Sequence, residues 1–302
     1  MKEIGGYFEL ECRSGGTLHE GVLLNSSRNA LRYIIRSYGI RKIHIPAYTC
    51  HVLLDAIREE SCEIVTYDLD ETMMPARDFA ADDFIVYNNY FGVCGHNVDT
   101  LAACYENLIV DNAQSFYAKQ KGLAAFYSPR KFFGLPDGGI AIGKNLKPAE
   151  LLTAKSYDIC SHLLKRHDLD ASLAYTDFKI NDDALVGLPV EGMSNLTRAL
   201  MGNIDYASVA QKRRANFVYL HDCLHSTFPF AMSDDDVPMA YPYVTSDPKL
   251  RAHLIEKKIF VAKYWPGLTS AADELANRII PLPIDQRYGV MDMRRIVEVI
   301  NG

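Results

Sequence analysis

The chain has no Cys-x-x-Cys pair, no uninterrupted apolar stretch long enough for a membrane helix, no basic stripe and only one tryptophan. Each absence excludes something. Without short-spaced thiols, the commonest thiolate metal frameworks lack their ligands. Without ~20 apolar residues in a row, no helix is expected to cross the hydrocarbon of a bilayer. The net charge is −6, with acids and bases interleaved, so nothing marks a footprint for nucleic acid or an anionic membrane. The first residues, Met1-Lys2-Glu3-Ile4-Gly5-Gly6, lack the apolar core of a signal peptide. The seven cysteines, Cys12, Cys50, Cys62, Cys94, Cys104, Cys160 and Cys223, are odd in number and scattered. The expectation is therefore reduced thiols and a cytoplasmic protein. His221 and His225 would share a helix face on either side of Cys223; they read as a polar helix end or, less simply, as zinc ligands.

What is present is ordinary in bulk and specific in detail. Hydrophobic residues make up 48% and charged residues 23% of 302 positions, enough for a sizeable core and two domains. Helical and strand patterns alternate through the first two hundred residues. Helices are expected over 29–38 and 51–60. Strands are expected over 42–45, 63–67, 84–87, 108–110, 124–128 and 139–142. Such alternation implies a mainly parallel sheet with ligands at the carboxyl ends of its strands. A helical pattern follows over 148–167, then an irregular polar stretch over 168–189. A long helix is expected over 193–224 with a break near Asn203. The tail then reads as strand 238–244, helix 249–257, strand 259–262 and helix 291–300. The division expected is a large α/β domain, 1–202, and a smaller C-terminal α+β domain, 203–302.

Lys131 stands out by its surroundings. It lies in Phe126-Tyr127-Ser128-Pro129-Arg130-Lys131-Phe132-Phe133-Gly134-Leu135-Pro136-Asp137-Gly138-Gly139, between two strand-like runs, with a serine three residues earlier and a tight turn after it. Upstream, Leu108-Ile109-Val110 ends in Asp111, with Gln114 three residues on. A lysine amine, a strand-end carboxylate and hydroxyl residues at a helix start are what pyridoxal 5'-phosphate (PLP) requires. The lysine forms the Schiff base, the carboxylate keeps the pyridine nitrogen protonated, and hydroxyls with free N–H groups hold the phosphate. Taken alone, Lys131 is also compatible with a surface hairpin and Asp111 with a helix N-cap. Ser26, Ser27, Arg28 and Asn29 offer the phosphate a helix N-terminus and a guanidinium, and Ser128 offers a second hydroxyl. Arg130 is placed outside the site, because neighbours on a strand point to opposite faces.

Five segments in order resemble the DegT/DnrJ/EryC1/StrS family of sugar aminotransferases. They are Asn25 to Leu31, Ile45 to Thr49, Val110 to Gln114, Lys131 to Gly139, and Arg278 to Ile284. The resemblance implies the fold of the fold-type-I, PLP-dependent transferases (aspartate aminotransferase-like). It implies a homodimer that moves an amino group from a donor such as glutamate to a keto-sugar, with nucleotide-linked sugars among the candidates. It assigns catalysis to Lys131 and Asp111. Cofactor contacts fall to Lys131, Asp111, Gln114, Ser27, Arg28, Asn29, Ser128, Tyr48 and Cys50. In the family an aromatic stacks on the cofactor ring where this chain has Cys50, so Tyr48 or His51 is the expected substitute. Three further departures are visible. Arg28 replaces a threonine, Phe126 replaces a phosphate-binding serine, and Val190 and Gly192 replace an asparagine and an arginine given by a neighbouring subunit. These departures leave open a second reading, a PLP-binding regulator without turnover, and a third, an α/β domain that never holds PLP. Lys131 itself separates the chain from the related dehydratases, which carry histidine there.

Overall fold

The structure, a computed structural model, describes residues 6–13, 15–147, 149–265 and 269–302. The N-terminal five residues, Pro148 at the start of one expected helix, and Pro266 after the single tryptophan lie outside the described residues.

In chain order the elements are β1 (Val22–Leu24), α1 (Ser27–Tyr38), β2 (Lys42–Pro46), α2 (His51–Glu59), β3 (Glu63–Tyr67), β4 (Ile85–Asn88), α3 (Gly95–Cys104), β5 (Leu108–Asp111), β6 (Ala124–Tyr127) and β7 (Gly139–Gly143). There follow α4 (Ser161–Asp168), α5 (Ala171–Asp183), α6 (Asn195–Met201), α7 (Tyr206–Leu224), β8 (Ala240–Val244), α8 (Leu250–Glu256), α9 (Ser270–Arg278), β9 (Ile279–Pro283) and α10 (Val290–Asn301). A seven-stranded sheet has the order β1-β7-β6-β5-β4-β2-β3. Strands β2 to β6 run parallel, while β7 is antiparallel to both β6 and β1. A second, antiparallel sheet of β8 and β9 packs with α7 and α9. The result is a large, mostly parallel α/β unit and a smaller antiparallel one built by the C-terminal third of the chain.

The central strands are buried on both faces, so they read as continuous apolar runs rather than alternating ones. Ile85, Val86, Tyr87, Leu108, Ile109 and Val110 are all fully buried. Helix α1 starts where the Ser26 hydroxyl accepts from the Asn29 N–H at 3.2 Å and stops at Gly39 in the left-handed region.

The Pro-Asp-Gly-Gly turn does more than reverse the chain. Asp137 is buried, and its carboxylate accepts from the Ser194 N–H at 3.0 Å, the Ser194 hydroxyl at 2.7 Å and the Thr197 hydroxyl, gripping the start of α6. Gly138 has φ +125°, and a Cβ on Gly139 would meet the Ser26 carbonyl group at 2.2 Å. Only glycine lets β7 lie this close to the start of α1.

Several expectations are corrected. The stretch 168–189 contains α5, which pairs with α4 through Lys165–Asp177 at 2.8 Å and Asn181–Ser161 at 3.0 Å. Over 149–160 the chain is irregular apart from one 3-10 turn, and the helix begins only at Ser161. Residues 259–262 form no strand; Ile259 closes the end of α8 by donating to the Leu254 carbonyl at 2.8 Å. The break near Asn203 is present, between α6 and α7. Among the described residues no helix is long and apolar enough to cross a membrane, and no cluster of three or more His, Cys, Asp or Glu could hold a metal ion. His221 instead stacks on Phe217, centroids 6.0 Å apart.

Candidate active site

Cys50 follows β2, Asn88 ends β4, Asp111 ends β5 and Ser128 follows β6. Because these four strands are parallel, all four residues come to one rim of the sheet. A cavity of about 580 Å³ opens there. Ser27, Arg28, His51, Asn89, Gln114 and Lys131 join them in its lining, and Met239, Phe260, Tyr264 and Trp265 face them from the C-terminal third of the chain.

Lys131 ends a 3-10 turn, Pro129–Lys131, rather than a strand, and its N–H donates to the Ser128 carbonyl at 3.1 Å. Its side chain is exposed to the cavity. The same turn corrects the placement of Arg130. Tight-turn residues do not alternate as strand residues do, and Arg130 lines the cavity beside Lys131.

Asp111 is 7% exposed, and its Oδ1 accepts from the Ala113 N–H at 2.7 Å. Burial pushes its carboxyl up to about 6, while the charge of Lys131 and the Ala113 N–H pull it back. A carboxylate this buried, with a single backbone donor, favours a cationic partner. Gln114 is held by the Phe91 N–H, which donates to its Oε1 at 2.7 Å; its buried Nε2 has no hydrogen-bond partner among the described residues. Asn88 donates to the Thr49 hydroxyl at 2.9 Å, and its Oδ1 is likewise buried and unpartnered.

Ser27, Arg28, Ser128 and Arg130 line this cavity, as does Asp182 of α5, which pairs with Arg130. Arg28 donates to the Leu185 carbonyl at 3.2 Å. Phe126, at the position of the family's serine, is wholly buried in β6 and brings no hydroxyl.

Asn29 and Tyr48, both expected to touch a cofactor, do not line the cavity. Asn29 is turned inward, donating to the Asn25 side chain at 2.7 Å and the Pro189 carbonyl at 2.8 Å. Tyr48 is 2% exposed, with its ring packed on Tyr90 at 5.5 Å and Trp265 at 5.2 Å. Cys50 and His51 do line it. The segment carrying Val190 and Gly192 threads beside β1: the Asn25 N–H donates to the Glu191 carbonyl at 3.0 Å and the Met193 N–H to the Leu23 carbonyl at 3.1 Å.

Among the lining residues that went unread in the sequence are Phe178, Asp182 and Arg213. Arg213 is 1% exposed and shares the buried face of α7 with Asn216, Phe217 and Leu220. Its spacing to these residues was the available signal. Phe178 and Asp182 lie on α5, whose buried residues are only Ala174 and Asn181.

No protein-family model and no curated protein matches the sequence. Solved structures do. A DegT/DnrJ/EryC1/StrS aminotransferase from Brucella abortus superposes with a TM-score of 0.61 at 17% identity, covering 94% of this chain and 86% of that one. The sugar aminotransferase CalS13 from Micromonospora echinospora gives 0.58 at 15%, covering 92% and 86%. PseC from Helicobacter pylori, an aminotransferase involved in the biosynthesis of pseudoaminic acid, gives 0.60 at 13%, covering 94% and 86%. This chain has their fold. The likeness runs through both sheets, so the rim carrying Asp111 and Lys131 is a rim of the fold-type-I architecture and not of a generic α/β sheet.

Proposed function

We propose that this protein is a PLP-dependent aminotransferase that transfers an amino group from an amino-acid donor, glutamate by resemblance, to a keto-sugar. The observation that carries this reading is Asp111. A buried strand-end carboxylate faces the same cavity as an exposed lysine and makes one backbone hydrogen bond. The residues present fit the cofactor. Asp111 supplies an acceptor for a ring N–H, the unpartnered Gln114 Nε2 supplies a donor for the phenolic oxygen, and Ser27, Arg28 and Ser128 supply hydroxyls and charge for a phosphate. When bound, PLP supplies an electron sink for a carbanion at the donor's α-carbon.

The chain's own residues do the rest. Lys131, exposed to the cavity, would hold the cofactor through Nζ, and the same amine is the base placed to move a proton at the donor's α-carbon. Asp111 holds its proton-bearing partner in place; a cation against it offsets the burial that raises its carboxyl. Trp265 and Tyr264, stacked on each other at 5.1 Å, add aromatic wall to the cavity. Sugar aminotransferases among the proteins sharing this fold support the keto-sugar acceptor; the amino-acid donor and a homodimeric assembly rest on the sequence resemblance, and a cytoplasmic location on the scattered cysteines.

The test is the visible spectrum with added PLP, before and after borohydride, for wild type and Lys131→Ala. The expected result is a band that borohydride fixes covalently to wild type alone and that glutamate bleaches. A band that no amino acid bleaches would favour the regulator, and no band at all would end both PLP readings.

A further inference from the structure

Arg28 and Arg130, both in the cavity lining, are tied to one short stretch at and just past the end of α5, residues 182–185. Arg130 pairs with Asp182 at 3.1 Å, and Arg28 donates to the Leu185 carbonyl at 3.2 Å. Both arginines, Asp182 and the two hydroxyl residues Ser27 and Ser128 line the same cavity. The three charges sense one another. Burial pushes the Arg28 guanidinium below its ordinary value, Asp182 opposes that fall, and Arg130 adds to it. Two guanidinium groups therefore face one carboxylate.

The pairing is also incomplete. The Arg130 side chain is 16% exposed, and its Nε is buried with no hydrogen-bond partner among the described residues. A carboxylate meeting a guanidinium in full takes two of its N–H groups; here only Nη1 is engaged by Asp182. A tetrahedral dianion has more acceptor oxygens and twice the charge, and it suits the two arginines and two hydroxyls better than one carboxylate does.

We propose that Arg130 joins Arg28 in binding the cofactor's phosphate and that Asp182 is the carboxylate which that phosphate displaces from Arg130. The assignment rests on the PLP reading for the identity of the ligand, but the anion site itself is defined by these side chains. It gives α5 a role: the helix occupies the anion site through one ion pair and releases it when a phosphate arrives. Asp182 is 46% exposed, so the pair it must give up is a weak one.

The experiment measures binding of PLP, pyridoxal and inorganic phosphate to the full chain, for wild type, Asp182→Asn, Asp182→Ser and Arg130→Met. The two Asp182 variants should bind PLP and inorganic phosphate about three- to fivefold more tightly, the scale of one partly exposed ion pair. Pyridoxal, which has no phosphate, should bind them as it binds wild type. Arg130→Met should weaken PLP and phosphate, and in an Arg130→Met background the Asp182 effect should vanish. Unchanged or weaker phosphate binding by both Asp182 variants would overturn the proposal. So would an equal gain for pyridoxal, which would mark a general loosening of α5. If no aldehyde is trapped on Lys131, the aminotransferase reading fails, and the inorganic phosphate series still decides the role of Asp182.

Discussion

Arg213 donates through Nη2 to the carbonyl of Phe132, the residue after Lys131, at 3.2 Å, and its guanidinium lies 4.4 Å from the centre of the Phe132 ring. Gln286 donates to the same carbonyl at 2.8 Å and accepts from Arg213 Nε at 3.0 Å. Two residues from the C-terminal part of the chain thus clamp the backbone next to the lysine.

Arg213→Met should be severely destabilising. It removes bonds to the Met239 carbonyl, the Phe132 carbonyl and Gln286 made by an arginine that is only 1% exposed. Three lost hydrogen bonds of a buried charged group and a lost cation–π contact together cost about 3 kcal/mol or more. Arg213→Lys should recover only part, because an ammonium cannot present the same planar fork. Urea unfolding midpoints of the three proteins check this; a loss under ~0.5 kcal/mol for Arg213→Met would refute the clamp.

Asp111 should make stability fall as pH rises. Its carboxyl is raised in the folded protein from 3.8 to about 6, so the native state binds the proton more tightly than the unfolded state does between those values. Its contribution is therefore lost as pH climbs through this window, by about 3 kcal/mol in all. Other carboxylates shift in the opposite direction, so the measurement is the difference between wild type and Asp111→Asn without added PLP. Relative to the variant, wild type should lose stability from about pH 4 to about pH 6 and then stay level. A difference independent of pH would show that Asp111 is not raised.

Asp137→Ala should cost about 2 kcal/mol, since Ser194 N–H, Ser194 hydroxyl and Thr197 hydroxyl all depend on it at the start of α6. Thermal unfolding gives the loss directly. A shift no larger than that of an exposed Asp→Ala control, such as Asp55→Ala, would argue that water replaces the carboxylate.

Gly139→Ala and Gly134→Ala form a matched pair. A Cβ at Gly139 would sit 2.2 Å from the Ser26 backbone, whereas at Gly134 the nearest atom is a Leu163 methyl at 3.6 Å. The first should cost about 3 kcal/mol or prevent soluble expression, and the second should be within about 1 kcal/mol of wild type. Equal behaviour of the two would mean that the approach of β7 to α1 is not tight.

Much of the large sheet is legible in the chain, because buried parallel strands are short apolar runs bounded by polar residues, as in Leu108–Asp111 and Ile85–Asn88. The strand-end aspartate, the lysine before the Asp-Gly-Gly turn and the serines opening α1 could be named from local pattern alone, since each belongs to an element boundary that local physics sets. Helix α5 could not, because Leu173, Tyr175, Phe178 and Ile180 are exposed and leave no one-sided apolar stripe to read. Nor could local pattern tell that Ile259–Ala262, a run with strand character, has no partner strand; pairing is a property of the whole sheet. Tertiary structure alone decided that Arg130 turns toward the cavity, that Tyr48 and Asn29 turn away from it, and that Arg213 and Asp182 reach it from far along the chain. The reason is physical: a strand's period fixes which residues alternate, but which side chains share a cavity depends on how distant elements close around it.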